Sequence, residues 1–161
     1  NHEKEFDHVN SKFSLHEKSC VRAGVVNDCD WLQDVKEKGN PCYVIEPTES
    51  TACIAISKGL HIVKDFFGSD LANLLANKGK TADLTIANNV LAHVPDINDF
   101  VSGFCTILKP DGVAIFENPH LLELIEKKQF DTVYHEHFSY LSLTAVDKIF
   151  RANGLTVFDV E

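Results

Sequence analysis

The chain of 161 residues contains no methionine, not even an initiator. That is expected of a processed chain or of a piece of a longer one. It also lacks any basic block, with 15 Lys and Arg against 24 Asp and Glu and a formal charge of −9. This balance argues against nucleic acid or an anionic membrane surface as a partner. No apolar run approaches the roughly 18 residues of a membrane span, and the opening NHEKEFDHVN does not read as a signal peptide. The five cysteines, Cys20, Cys29, Cys42, Cys53 and Cys105, are odd in number and form no C-x-x-C pair. Zinc sites and disulfide frameworks want closer, paired spacing. Cys42, Cys53 and Cys105 lie among apolar neighbours and are expected to be small buried thiols in a reducing cytoplasm. Nor is there a G-x-G-x-x-G, which leaves a nicotinamide-dependent oxidoreductase as the weakest of the enzymatic readings.

The composition that remains, 44% hydrophobic and 24% charged, suits one soluble globular domain. Residues 1–19 are polar, with a thin apolar set (Phe6, Val9, Phe13), and predict an arm or marginal helix. From residue 20 to 161 the periodicity alternates. Strands are predicted at 20–25, 42–46, 60–64, 83–87, 113–117 and 155–160. Helices are predicted at 30–38, 50–58, 69–78 with Ser69 as N-cap, 96–108, 120–128, and after Ser142 as far as Asn153-Gly154. Pro110-Asp111-Gly112 reads as a turn. Strands alternating with helices at this pace predict an α/β fold: a mainly parallel sheet in the order 3-2-1-4-5 with the sixth strand beyond the fifth, and helices on both faces.

Sheets of this kind bind ligands beyond the carboxyl ends of their strands. The residues just after each strand therefore carry the functional argument. Glu46 follows the second strand, 22 positions after Gly24, where a carboxylate can accept from both hydroxyls of a ribose; alternatively it is a solvated strand-end acid. Asp65 and Phe66 close the third strand, an acid for an adenine amino group beside a ring to cover the base; alternatively Asp65 is a helix-entry acid.

Residues 87–95, ANNVLAHVP, resemble the end of the fourth strand of the class I S-adenosylmethionine-dependent methyltransferases, a Rossmann-like fold. The resemblance narrows with IANNVLAHVPDINDF, LKPDG, FENPHLLELIEKKQFDTVYHEHFSYLS and GLTVFDVE to the sugar C-methyltransferases, which methylate a carbon of a nucleotide-linked keto-deoxysugar. With VIEP (44–47) and KDFFG (64–68) it covers roughly residues 42–161. It implies S-adenosylmethionine as cofactor, held by Gly24, Asn27, Glu46, Asp65, Phe66 and Asn88, and a nucleotide-sugar as substrate, with no metal. It also implies an active site of His137, Glu136, Tyr134 and His93, with His137 as general base and Glu136 orienting it or holding the substrate. The chemistry agrees, because methylation next to a ketone needs a base near neutral pKa to generate an enolate. Without the resemblance, His135-Glu136-His137 could equally be a metal-ligand pair or a hydrogen-bonding cluster with Tyr134 and Tyr140.

One stretch departs from the family pattern. The glycine-rich loop after the first strand is AGVVNDC (23–29) here, with Ala23 in place of an acid and Val25 and Cys29 in place of glycines. A β-branched valine cannot take the positive-φ conformations open to glycine. A slip of one residue would put Gly24 in the first loop role. The stretch therefore predicts weakened cofactor affinity and keeps a second reading open, a non-catalytic binding remnant of the fold. The family's seventh, antiparallel strand is not expected in residues 20–161, which predicts an exposed sheet edge.

Overall fold

The computed structural model describes residue 11 and residues 21–26, 30–37 and 39–161. The arm expected over 1–19 and the loop residues Asn27, Asp28 and Cys29 lie outside the described residues, apart from Ser11, which is helical.

Five strands form one sheet: β1 (Val21–Val26), β2 (Cys42–Ile45), β3 (Ile62–Val63), β4 (Ala82–Asn88) and β5 (Leu108–Glu117). The order is β3-β2-β1-β4-β5, every ladder is parallel, and the first five expected strands fall into the expected sequence. Between them run α1 (Asp30–Glu37), α2 (Glu49–Ser57), α3 (Ser69–Asn77) and α4 (Ile97–Ile107). After β5 come α5 (Leu121–Glu126) and α6 (Leu143–Ala152).

Side-chain alternation along the strands divides the core. Val44, Leu84 and Ile86 point to one face, where Leu32 and Val35 of α1 and Ala55 of α2 cover them. Tyr43 and Ile45 point to the other and meet Leu71, Ala72 and Leu75 of α3. Beside them Phe100, Val101 and Phe104 of α4 pack with Val146 and Phe150 of α6 on Ala87, Ala114 and Phe116. The helix α4 starts on a genuine cap, since Asp96 accepts from the amides of Asn98 (3.1 Å) and Asp99 (3.0 Å). Ser142 caps α6 as expected, accepting from the Ala145 amide at 3.3 Å. Helices α3 and α4 approach at a pair of glycines; a Cβ on Gly103 would stand 3.0 Å from the Gly68 carbonyl.

Four expectations need correction. Residues 155–160 form no strand, although Leu155 and Val157 pack on the α4–α6 core while Phe158 and Val160 are exposed. Their alternation is that of a strand, but β5 takes up no ladder with them. Instead a groove of about 1060 Å³ separates β5 from this segment. Pro110-Asp111-Gly112 is not a break before β5 but a bulge within it: Ala82 pairs with Leu108 and Leu84 already with Val113. Ser69 is the first residue of α3 rather than its cap, a place held by Gly68 with no side-chain bond. Finally, Cys53 and Cys105 are exposed, and Cys42 is half-buried, packed on the core of Leu32, Val44 and Leu84.

Candidate active site

The carboxyl ends of β1 to β5 form one rim. Glu46 follows β2 and is 3% exposed, a buried carboxylate at the strand end. One of its oxygens accepts from the Thr48 amide at 2.7 Å. Burying a carboxylate is costly unless hydrogen bonds compensate, and this placement goes beyond a solvated strand-end acid. At the end of β3, Asp65 folds back so that its carboxylate accepts from the Phe66 amide at 2.8 Å, and the Phe66 ring is 79% exposed. Asn88 ends β4, in register with Val26 and Glu117. Asn89 then turns the chain with φ 53°, its amide donating to the Glu117 carbonyl at 2.7 Å. Gly24 is not a loop residue: it lies inside β1 opposite Ile45, where β1 carries one extra residue against β4 between Ala23 and Val26. Acid, exposed ring and amide thus stand at the ends of β2, β3 and β4 on one rim, with β1 between β2 and β4, a set of groups that fits a ribose, a base and an amino-acid moiety.

The histidines come together beside this rim. The 3₁₀ turn Leu91–His93 follows β4 directly, and its first two residues are buried. Segment 133–142, between the 3₁₀ turn Phe130–Thr132 and α6, folds back over it. The Phe138 amide donates to the Ala92 carbonyl at 2.7 Å, and His93 Nδ1 donates to the Glu136 carbonyl at 3.2 Å. A carbonyl can only accept, so the Nδ1 of His93 carries a proton. The His93 and His137 rings meet edge to face at 4.6 Å, with Tyr134 4.1 Å and Tyr140 5.5 Å from His137. Of the residues expected together, His93, Tyr134 and His137 are joined by ring contacts, and Glu136 joins through its main-chain carbonyl. The Glu136 side chain is exposed.

Burial, and then the neighbouring His93, hold the His137 imidazole below the usual histidine value of 6.5, against the opposing pull of the Thr132 carbonyl and of Glu136. Among the described residues no group of three or more His, Cys, Asp or Glu could hold a metal ion.

Tyr140, which the sequence offers only as a member of a hydrogen-bonding cluster with Tyr134, lies in ring contact with His137. Its hydroxyl accepts from the Tyr134 amide at 3.2 Å and donates to the Tyr134 carbonyl at 3.3 Å. Only its place in YHEHFSY, six residues after Tyr134, signalled it.

Comparison with known proteins agrees with this geometry. Residues 23–160 match the family described as a methyltransferase domain. The C-methyltransferase NovU of Streptomyces niveus is 33% identical over 129 residues, which are 80% of this chain and 31% of NovU. The chain thus spans about a third of the length of that relative. A crystal structure of an S-adenosylmethionine-dependent methyltransferase from Archaeoglobus fulgidus superposes with a TM-score of 0.70 at 13% identity, covering 96% of this chain and 69% of that one. One from Thermotoga maritima gives 0.66 at 18% identity, covering 94% and 76%. At those identities the two structures speak for the fold alone. The family match together with the β3-β2-β1-β4-β5 sheet leads to one statement of kinship: this chain belongs to the methyltransferase domain family and has its class I, Rossmann-like fold.

Proposed function

We propose that this chain, with residues 20–161 as its methyltransferase domain, methylates a carbon of a nucleotide-linked keto-deoxysugar in the cytoplasm. The observation that carries the reading is the His93–His137–Tyr134 cluster seated just past the end of β4. The likeness to a C-methyltransferase supports it.

Glu46 would hold the ribose hydroxyls of S-adenosylmethionine, Asp65 and Phe66 the adenine, and Asn88 the methionyl end. Bound there, the cofactor supplies a methyl group activated by its sulfonium. The chain's own residues do the rest. The imidazole of His137, held below 6.5 and so unprotonated, takes the proton from the carbon beside the ketone. Removal of that proton leaves an enolate and a protonated His137; S-adenosylmethionine, when bound, would supply the methyl group for the enolate carbon and would leave as S-adenosylhomocysteine. His93, Tyr134 and Glu136 frame the pocket and hold the base in place.

Calorimetry with S-adenosylmethionine, S-adenosylhomocysteine and NAD tests the reading at its base. Binding of the first two alone is expected; binding of none of them points to the non-catalytic remnant. Glu46→Gln keeps an acceptor for the Thr48 amide but removes the charge. It is expected to weaken S-adenosylhomocysteine binding by about 1.5–3 kcal/mol, the worth of a hydrogen bond to a charged group, or roughly 10–150-fold. Unchanged affinity would place the ribose elsewhere.

The pH profile is a separate check. Because His137 is held below 6.5, it stays unprotonated through neutrality, and the acid limb of kcat/KM should fall below that pH. His93→Asn removes a cation-forming neighbour, so the limb should move up towards the ordinary histidine value. A limb unmoved in His93→Asn would mean that another group titrates.

A further inference from the structure

Segment 133–142 has no helix or strand to hold it, and four successive residues, Val133 to Glu136, are exposed. His137 nevertheless keeps two ring partners on either side. One end of the segment is anchored: the Leu141 carbonyl accepts from the Leu121 amide of α5 at 3.0 Å, and Leu141 packs on the α4–α6 core. The other end, at Tyr134, is tied back by the Tyr140 hydroxyl, which satisfies both main-chain groups of Tyr134 at once. The tie closes the seven residues 134–140 into a ring with His137 at its midpoint. Within that ring the His137 amide donates to the Tyr134 carbonyl at 3.1 Å, the same oxygen that Tyr140 holds.

We propose that Tyr140 is a positioning residue: its hydroxyl clasps Tyr134, and through Tyr134 it fixes the ring and main chain of His137 against His93. This rests on the reading of His137 as base, but the clasp itself is a matter of geometry and can be measured without turnover. Tyr140 touches no reacting atom. It acts through Tyr134, whose ring lies 4.1 Å from His137, and through the shared carbonyl. Opening the clasp exposes Tyr134 N–H and C=O to water, which can satisfy both, so the fold is expected to survive its loss.

The experiment compares the whole chain with Tyr140→Phe, which removes the hydroxyl and keeps the ring. Circular dichroism and S-adenosylhomocysteine affinity are expected to stay within twofold. Amide hydrogen exchange at Tyr134 and His137 should accelerate by about tenfold or more as their local opening becomes easier. The His137 imidazole, followed by NMR, should titrate closer to the ordinary histidine value as water reaches it. With keto-sugar nucleotide as substrate, kcat should fall about tenfold with little change in KM, within the range expected of a displaced catalytic group. Unchanged exchange and titration at His137 in Tyr140→Phe would overturn the proposal. If both respond, yet His137→Asn turns over like the wild type, the clasp stands and the assignment of the base falls.

Discussion

His137→Asn is expected to lower turnover by about 10²–10⁴-fold, the usual cost of removing a general base. Asparagine keeps the size and polarity of the site but cannot take a proton near neutrality. S-adenosylhomocysteine should bind the variant as it binds the wild type, because the residues proposed to hold the cofactor follow β2 and β3 and end β4. The decisive measurement is exchange of the sugar's α-hydrogen with deuterated solvent, which reports proton removal without methyl transfer. Equal exchange in both proteins would show that another group is the base. His93→Asn makes the contrast sharper, since His93 holds its Nδ1 proton on the Glu136 carbonyl and supports His137 from its edge. A smaller loss is expected there.

The largest expected effect on stability lies in the aromatic stack under α4. Phe104 is 1% exposed and meets Phe67 at 4.8 Å, Phe100 at 5.1 Å and Phe116 at 4.7 Å. Phe116 passes the contact on to Phe150 of α6 at 4.6 Å. Phe104→Ala would remove the middle ring and leave a cavity that three aromatic neighbours cannot close together. The cost should be about 3–5 kcal/mol, a large part of the 5–15 kcal/mol that a domain commonly has in hand. Urea denaturation should show a lower midpoint at an unchanged slope. A loss below about 1 kcal/mol would mean that the stack collapses to fill the space.

The sheet was readable because its signals are local. Most of the first five strands carry a short, largely apolar stretch closed by a polar residue, and the helices after β2 and β3 stop at Gly59 and Gly79. The sixth failed for a physical reason. Alternation at 155–160 reports which side chains turn inward, and Leu155 and Val157 do so. A strand also needs a neighbour at ladder distance, and no local pattern encodes that. The bulge at 109–112 was misread in the same way, since Pro110 and Gly112 signal a departure from the ladder without saying whether the strand ends there. At the site, the motif placed His93 and His137 correctly in one cluster. A hydrogen-bonding cluster of Tyr134 with Tyr140 was among the readings the motif left open, but that Glu136 joins through its carbonyl was not, because a main-chain contact across 43 residues leaves no periodic trace.

The edge of β5 sets how this protein behaves as a solute. Among the described residues the strand pairs only with β4, and every residue of it is exposed or half-exposed. An open ladder edge is a template for any other edge it meets. Two things keep copies apart. Asp111 and Glu117 put charge on the edge itself, and the formal −9 of the chain repels a second molecule at long range. The second safeguard depends on ionic strength, reaching about 30 Å at 0.01 M salt and about 3 Å at 1 M. Colloidal stability is thus greatest in dilute buffer above the isoelectric point near 5.3 and wanes as salt rises or pH approaches it. Concentrated stocks are governed by one strand and by the screening around it more than by the thermodynamic stability of the core.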